Sequence, residues 1–106
     1  MPTYLITYHG GSGVPASPEA QQQVHAAFQA WAAGVGDAMV DPGAPLAGSR
    51  MVSANGVEDG PAGGPASGYT LLRAASLDAA TELVGSHPFL TRGGSLQVSE
   101  AVDLGG

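Results

Sequence analysis

Strict alternation and helical spacing take turns along this chain, and each change of period marks an element. Residues 3 to 9 alternate, with Tyr4, Ile6 and Tyr8 on one face, and are rich in aromatic and β-branched types, which predicts a first strand. It stops at Gly10, Gly11 and Gly13. Ser17 and Pro18 have the chemistry of a helix start, and Glu19 places a negative charge at the positive end of the helix dipole. Val24, Phe28, Trp31 and Val35 then recur at spacings of four, three and four, an apolar helical stripe that Gly34 and Gly36 bring to an end. Asp41-Pro42-Gly43 reads as a type II turn, and Asn55-Gly56 as a hairpin turn after a short strand over 50 to 54. Residues 58 to 68 are mostly Gly, Pro, Ala and Asp and read as a surface loop.

The second half is sharper. Residues 68 to 75 predict an interior strand, Ser76 a cap, and 77 to 84 a second helix with Leu77, Ala80, Leu83 and Val84 inward. Pro88 marks its exit, and 95 to 104 close the chain as a strand with Leu96, Val98, Val102 and Leu104 on one face. Strict alternation puts Glu100 on that apolar face too, where a carboxylate needs a partner; Arg73, in phase with Tyr69 and Leu71, is the expected one, the alternatives being an acid lining the cleft and a bulge that turns Glu100 outward. The order strand, helix, hairpin strands, strand, helix, strand predicts one α+β domain over 1 to 106, a ferredoxin-like antiparallel sheet with two helices on one face. Both faces of the first strand carry apolar groups, so a second copy of the chain is expected to cover the other face.

Composition narrows the partners. The chain holds no Lys and three Arg against nine carboxylates, a net charge of −6, which repels phosphate backbones and anionic membrane surfaces. No nucleic-acid or membrane partner is expected. The absence of Cys removes disulfides, thiolate catalysis and Cys-based zinc sites. The first ten residues lack the basic and apolar regions of a signal peptide, so a cytoplasmic location is expected. No H-x-x-x-H or H-x-H spacing seeds a metal site and no phosphate-loop pattern occurs, so neither metal nor cofactor is expected.

Polar residues near the strand ends supply the candidate chemistry. His25 falls at the edge of the apolar helical stripe, where a neutral imidazole takes a proton from a phenol or an α-carbon near pH 7. His9 ends the first strand beside Gly10 and Gly11, whose backbone N–H groups suit an anionic substrate. His9-Gly10-Gly11 is also seen in esterase oxyanion segments, but no G-x-S-x-G elbow follows, and a hydrolase is set aside. Asp41, held extended before Pro42, either caps its turn or projects into a cleft; Asp37 lies just past the first helix.

Several of these segments resemble one family. Gly68-Tyr69-Thr70-Leu71-Leu72, Ser76-Leu77-Asp78-Ala79-Ala80, His87-Pro88-Phe89-Leu90 and Gly93-Gly94-Ser95-Leu96-Gln97-Val98-Ser99-Glu100 resemble the second half of YCII-related proteins. Upstream, Tyr8-His9-Gly10-Gly11, Trp31, Gly36-Asp37, Asp41-Pro42-Gly43 and Asp59-Gly60-Pro61 are similar to the same group. The resemblance implies a protomer whose sheet packs on that of its twin, a dimeric α+β barrel with a cleft on each side. Relatives across that superfamily include lactone isomerases, cofactor-independent oxygenases and a dechlorinating enzyme. It also implies a catalytic His on the first helix, matched by His25, with an Asp before the Pro after the second helix. That position is His87 here, so the acid partner falls to Asp37 or Asp41.

Together these readings predict a homodimer with an aromatic, His-lined cleft. Tyr8, Trp31, Gly10 and Gly11 would bind a small cyclic or oxo-acid metabolite, and His25, Asp41, His9 and His87 would carry cofactor-free proton transfer of a lyase or isomerase type. The alternative is a non-catalytic homodimeric binding or assembly module, in which Trp31, Tyr4 and Tyr8 are core or dimer contacts and the histidines are incidental.

Overall fold

A computed structural model describes residues 1–10, 17–59 and 66–103. Six strands and two helices follow the order β1 (Thr3–Gly10), α1 (Pro18–Val35), β2 (Met39–Pro45), β3 (Arg50–Ser53), β4 (Gly56–Asp59), β5 (Gly68–Arg73), α2 (Leu77–Val84) and β6 (Gly94–Ala101). Short 3-10 turns occupy Gly36–Ala38 and Pro88–Arg92. The main sheet has the order β2-β5-β1-β6 with every neighbour antiparallel. An α+β chain with this four-stranded order and two helices on one face is compatible with the ferredoxin-like fold.

The helix starts follow from the caps. Ser17 accepts from the Ala20 N–H and Ser76 from the Ala79 N–H, each at 3.1 Å, so both helices begin where the sequence predicts. Phe28, Trp31 and Val35 of α1 and Ala80, Leu83 and Val84 of α2 pack on the face of the sheet that carries Tyr4, Ile6 and Leu72. The Trp31 indole N–H donates to the Leu83 carbonyl at 3.0 Å and fixes α1 against the end of α2.

Five expectations are corrected. Leu77, the first residue of α2, is 51% exposed rather than inward. Val102 is exposed beyond the end of β6, and Leu104 lies outside the described residues. Arg73 and Glu100 do not face each other: Thr3 pairs with Arg73 and the next residue, Tyr4, with Glu100, so the pleat sends them to opposite faces. Glu100 is exposed and accepts a 3.5 Å hydrogen bond from the Tyr4 hydroxyl, whose pKa is raised by burial and then by the Glu100 charge.

The last two corrections are the turn at 41 to 43 and the hairpin turn. β2 runs through the former, and the extra residues are absorbed as bulges between Met39 and Asp41 and between Asp41 and Ala44. Arg50–Ser53 does not join the main sheet; it pairs only with Gly56–Asp59 in a separate two-stranded hairpin. Its loop residues are Ala54 and Asn55, one position before the expected pair, and neither has positive φ, which excludes the type I′ turn.

Candidate functional site

Pleating sends Tyr8 and Thr70 to the helix side of the sheet, and the Pro88–Arg92 turn brings His87 up against them. His87 is 2% exposed and stands just ahead of Pro88, whose ring fixes the start of that turn. Its Nδ1 accepts from the Phe89 N–H at 3.0 Å, and its Nε2 lies 2.8 Å from the Tyr8 hydroxyl. Aromatic rings surround the imidazole: Trp31 at 4.4 Å between centroids, Tyr8 at 5.0 Å and Phe28 at 5.7 Å. Phe89 packs tilted on Tyr8 at 5.2 Å, and the Arg92 guanidinium lies 5.1 Å from the Phe89 centroid.

Hydrogen-bond chemistry fixes every proton in this cluster. An amide N–H only donates, so Nδ1 is bare and the neutral imidazole carries its proton on Nε2, which donates to Tyr8. The Tyr8 hydroxyl, 2.7 Å from Thr70 Oγ1, donates to it, and the Thr70 hydroxyl donates at 2.9 Å to the Pro42 carbonyl, which only accepts. The chain therefore runs one way, from His87 through Tyr8 and Thr70 to the backbone of β2. Among the described residues no buried side-chain nitrogen or oxygen lacks a partner.

Electrostatics agree with that assignment. Burial, and then the positive Arg92 nearby, lower the His87 pKa from 6.5 to about 4. A second proton would also sit on Nδ1 and oppose the Phe89 N–H. Burial likewise raises the Tyr8 hydroxyl, against smaller lowering effects of its bond with Thr70 and of Arg92. Because the unfolded chain binds the imidazole proton near 6.5 and the folded chain only near 4, stability is full above pH 6.5 and declines as pH falls toward 4. After a discount for relaxation and water penetration, the loss across that window is about 2 kcal/mol. Urea midpoints measured at pH 7, 5.5 and 4 should show it, and a His87→Asn chain should lack this part of the slope.

The other expected catalytic groups lie elsewhere. His25 is exposed on α1, on the solvent side of the stripe rather than at its buried edge. His9 is half-buried on the helix-free face of the sheet, with Nε2 2.8 Å from Thr7 Oγ1. Asp41 accepts the Gly43 N–H at 2.8 Å and so caps its own bulge. Asp37 is exposed at the end of α1. Of the expected substrate contacts, Tyr8 and Trp31 do meet, around His87. Gly10 pairs with Gly94 in the β1–β6 ladder instead of forming a free cradle, and Gly11 lies outside the described residues.

Among the described residues these four groups lie apart rather than around one cleft. A wide, open groove of about 930 Å³ separates α1 from α2 and is lined by Ala27, Ala30, Trp31, Gly34, Ala79 and Leu83 among others, but by none of His9, His25, Asp41 and His87. No cluster of three or more metal-binding side chains occurs among the described residues, and none of their helices is long and apolar enough to cross a membrane. Sequence reasoning missed Phe89 as a partner of His87 and Thr70 as the next link of the chain through Tyr8. Thr70 sits in phase with Leu72 on an interior strand, and that phase was the available signal.

The helix-free face has its own pattern. Leu5, Leu71 and Tyr69 lie side by side at its centre, all half-buried, since Leu5 pairs with Leu71 and Thr7 with Tyr69. Thr3, Thr7, Ser99, Gln97, Asp41 and Arg73 surround them by register. Such a chain is α+β, with a centrally apolar sheet face that neither of the described helices covers. Neither a protein-family model nor any curated protein sequence matches it.

Proposed function

We propose that this chain is a homodimeric binding or assembly module, built in the manner that the YCII resemblance implies, and that its three histidines do not carry proton transfer. The carrying observation is the helix-free face, whose apolar centre of Leu5, Leu71 and Tyr69 within a polar rim has the anatomy of an interface between proteins. Two sheets packed through that face would close the barrel and remove the apolar patch from water. The histidines support the reading from the other side: His87 has both ring nitrogens committed inside the core, His25 is exposed with no acid beside it on the described face of α1, and His9 bonds within its own strand. Leu71→Asp places a carboxylate at the centre of the contact and should weaken dimerisation by at least about a hundredfold, read as mass against concentration by light scattering. An unchanged mass profile in a well-folded Leu71→Asp chain would refute the interface.

One observation favours a second reading, cofactor-free proton transfer on a small cyclic or oxo-acid metabolite. Tyr8 is half-buried, and its hydroxyl accepts from His87 and donates to Thr70, which leaves one lone pair to receive a hydrogen bond from a ligand. Tyr8 would then touch the substrate and His87 would position it. A panel of lactones, phenols and oxo acids screened by thermal shift decides between the two: a hit lost in Tyr8→Phe supports the second reading, and silence supports the first.

A further inference from the structure

The β3–β4 hairpin stands apart from the core. It forms its own two-stranded sheet, and every residue from Arg50 to Asp59 is exposed. Arg50 pairs with Asp59, Met51 with Glu58 and Val52 with Val57, so Arg50, Val52, Val57 and Asp59 share one face. On it Val52 and Val57 are 70% and 63% exposed. A lone two-stranded hairpin is marginal at best in water, and its best cross-strand apolar pair here is spent facing solvent. Such a hairpin holds its shape when a second surface covers the valines.

Its root indicates which surface that is. The Leu46 N–H donates to the Ser67 carbonyl at 2.9 Å, and just before it Ala44 and Pro45 pair with Tyr69 and Gly68. The hairpin therefore springs from the β2 edge of the main sheet, beside Tyr69 in the apolar centre of the helix-free face. In a twofold contact across that face, both arm roots lie at its border, and the symmetry that brings one arm to the partner brings the other. Charge at the face does not oppose a second copy: it carries one cation and one carboxylate, Arg50 and Asp59, so the contact itself adds no net repulsion between two acidic chains.

We propose that the β3–β4 hairpin is a dimer arm whose Val52 and Val57 pack on the second copy at the border of the sheet-to-sheet contact. This rests on the homodimer proposed above and adds the partner-facing residues to it. The test uses the full chain: sedimentation equilibrium of the wild type against a Val52→Asp, Val57→Asp double variant, with amide hydrogen exchange over residues 50 to 59 followed in the wild type above and below its Kd. The expected result is a Kd raised at least about thirtyfold in the variant, with hairpin amides protected only in the dimer. A wild-type dimer whose Kd the variant leaves unchanged, or whose hairpin amides exchange as fast as in the monomer, overturns the arm and leaves the sheet contact standing. A wild type that stays monomeric at every concentration overturns the arm together with the dimer itself.

Discussion

Gly43→Ala should destabilise the chain by about 4 kcal/mol, the largest effect expected of any single methyl group added here. Gly43 has φ near +80°, and a Cβ built on it would fall 1.7 Å from the Tyr69 carbonyl oxygen and 2.6 Å from its carbon, both backbone atoms of β5. Neither strand can yield cheaply. β5 is the second strand of the sheet and carries buried Thr70 and Leu72, and the bulge on β2 is held by the Asp41 cap and by the Thr70 hydroxyl on the Pro42 carbonyl. An added methyl group would push β2 off β5 and break those bonds with it. For a domain of this size the loss corresponds to a fall of roughly 15–25 °C in Tm. Calorimetry checks it directly, and a Gly43→Ala protein that melts within a few degrees of the wild type would show that the bulge is softer than its contacts imply.

His87→Ala should cost about 3 kcal/mol, from two separable sources. Removing the ring leaves a hole among Trp31, Phe28 and Tyr8, and it leaves the Phe89 N–H without its acceptor. His87→Asn separates them, because an Asn side chain can accept the Phe89 N–H as an ordinary turn cap while leaving most of the hole; it should recover about 1 kcal/mol of the loss. Denaturant midpoints for the two variants read the difference. Equal stability of Ala and Asn at this position would mean that the Nδ1 bond contributes nothing. The cap also accounts for the chemistry of the position: Nδ1 of His87 is committed to the Phe89 N–H of the turn that follows it.

How much of this was legible in the sequence depends on whether the signal was local. Both helices start at their predicted caps because Ser17 and Ser76 need only the three residues that follow them. The strands β1, β5 and β6 were visible because one face is buried and alternation survives. Local chemistry misled wherever the partner was remote. Asp41-Pro42-Gly43 has the composition of a turn, yet Tyr69 and Gly68 pull the segment into the sheet as a bulge, and no residue nearby announces that pairing. Arg73 and Glu100 seemed matched because each was counted along its own strand, whereas the register between β1 and both neighbours sets their faces.

The candidate site shows the same division. Tyr8, Trp31 and His87 were each singled out, and they do meet, but their roles could not be read from spacing. A histidine ahead of a proline looks like a reactive group until the Phe89 N–H, the Tyr8 hydroxyl and three aromatic rings are seen to enclose it. His25 failed for a simpler reason. One residue past Val24 is about 100° around the helix, and on α1 that rotation reaches solvent.

The proposed role of the helix-free face is a contact between two copies. Sedimentation equilibrium of the wild-type chain at micromolar concentration and near-neutral pH distinguishes the outcomes: a dimer gives twice the 10.4 kDa chain mass, and a single species at 10.4 kDa across the concentration range would refute the contact.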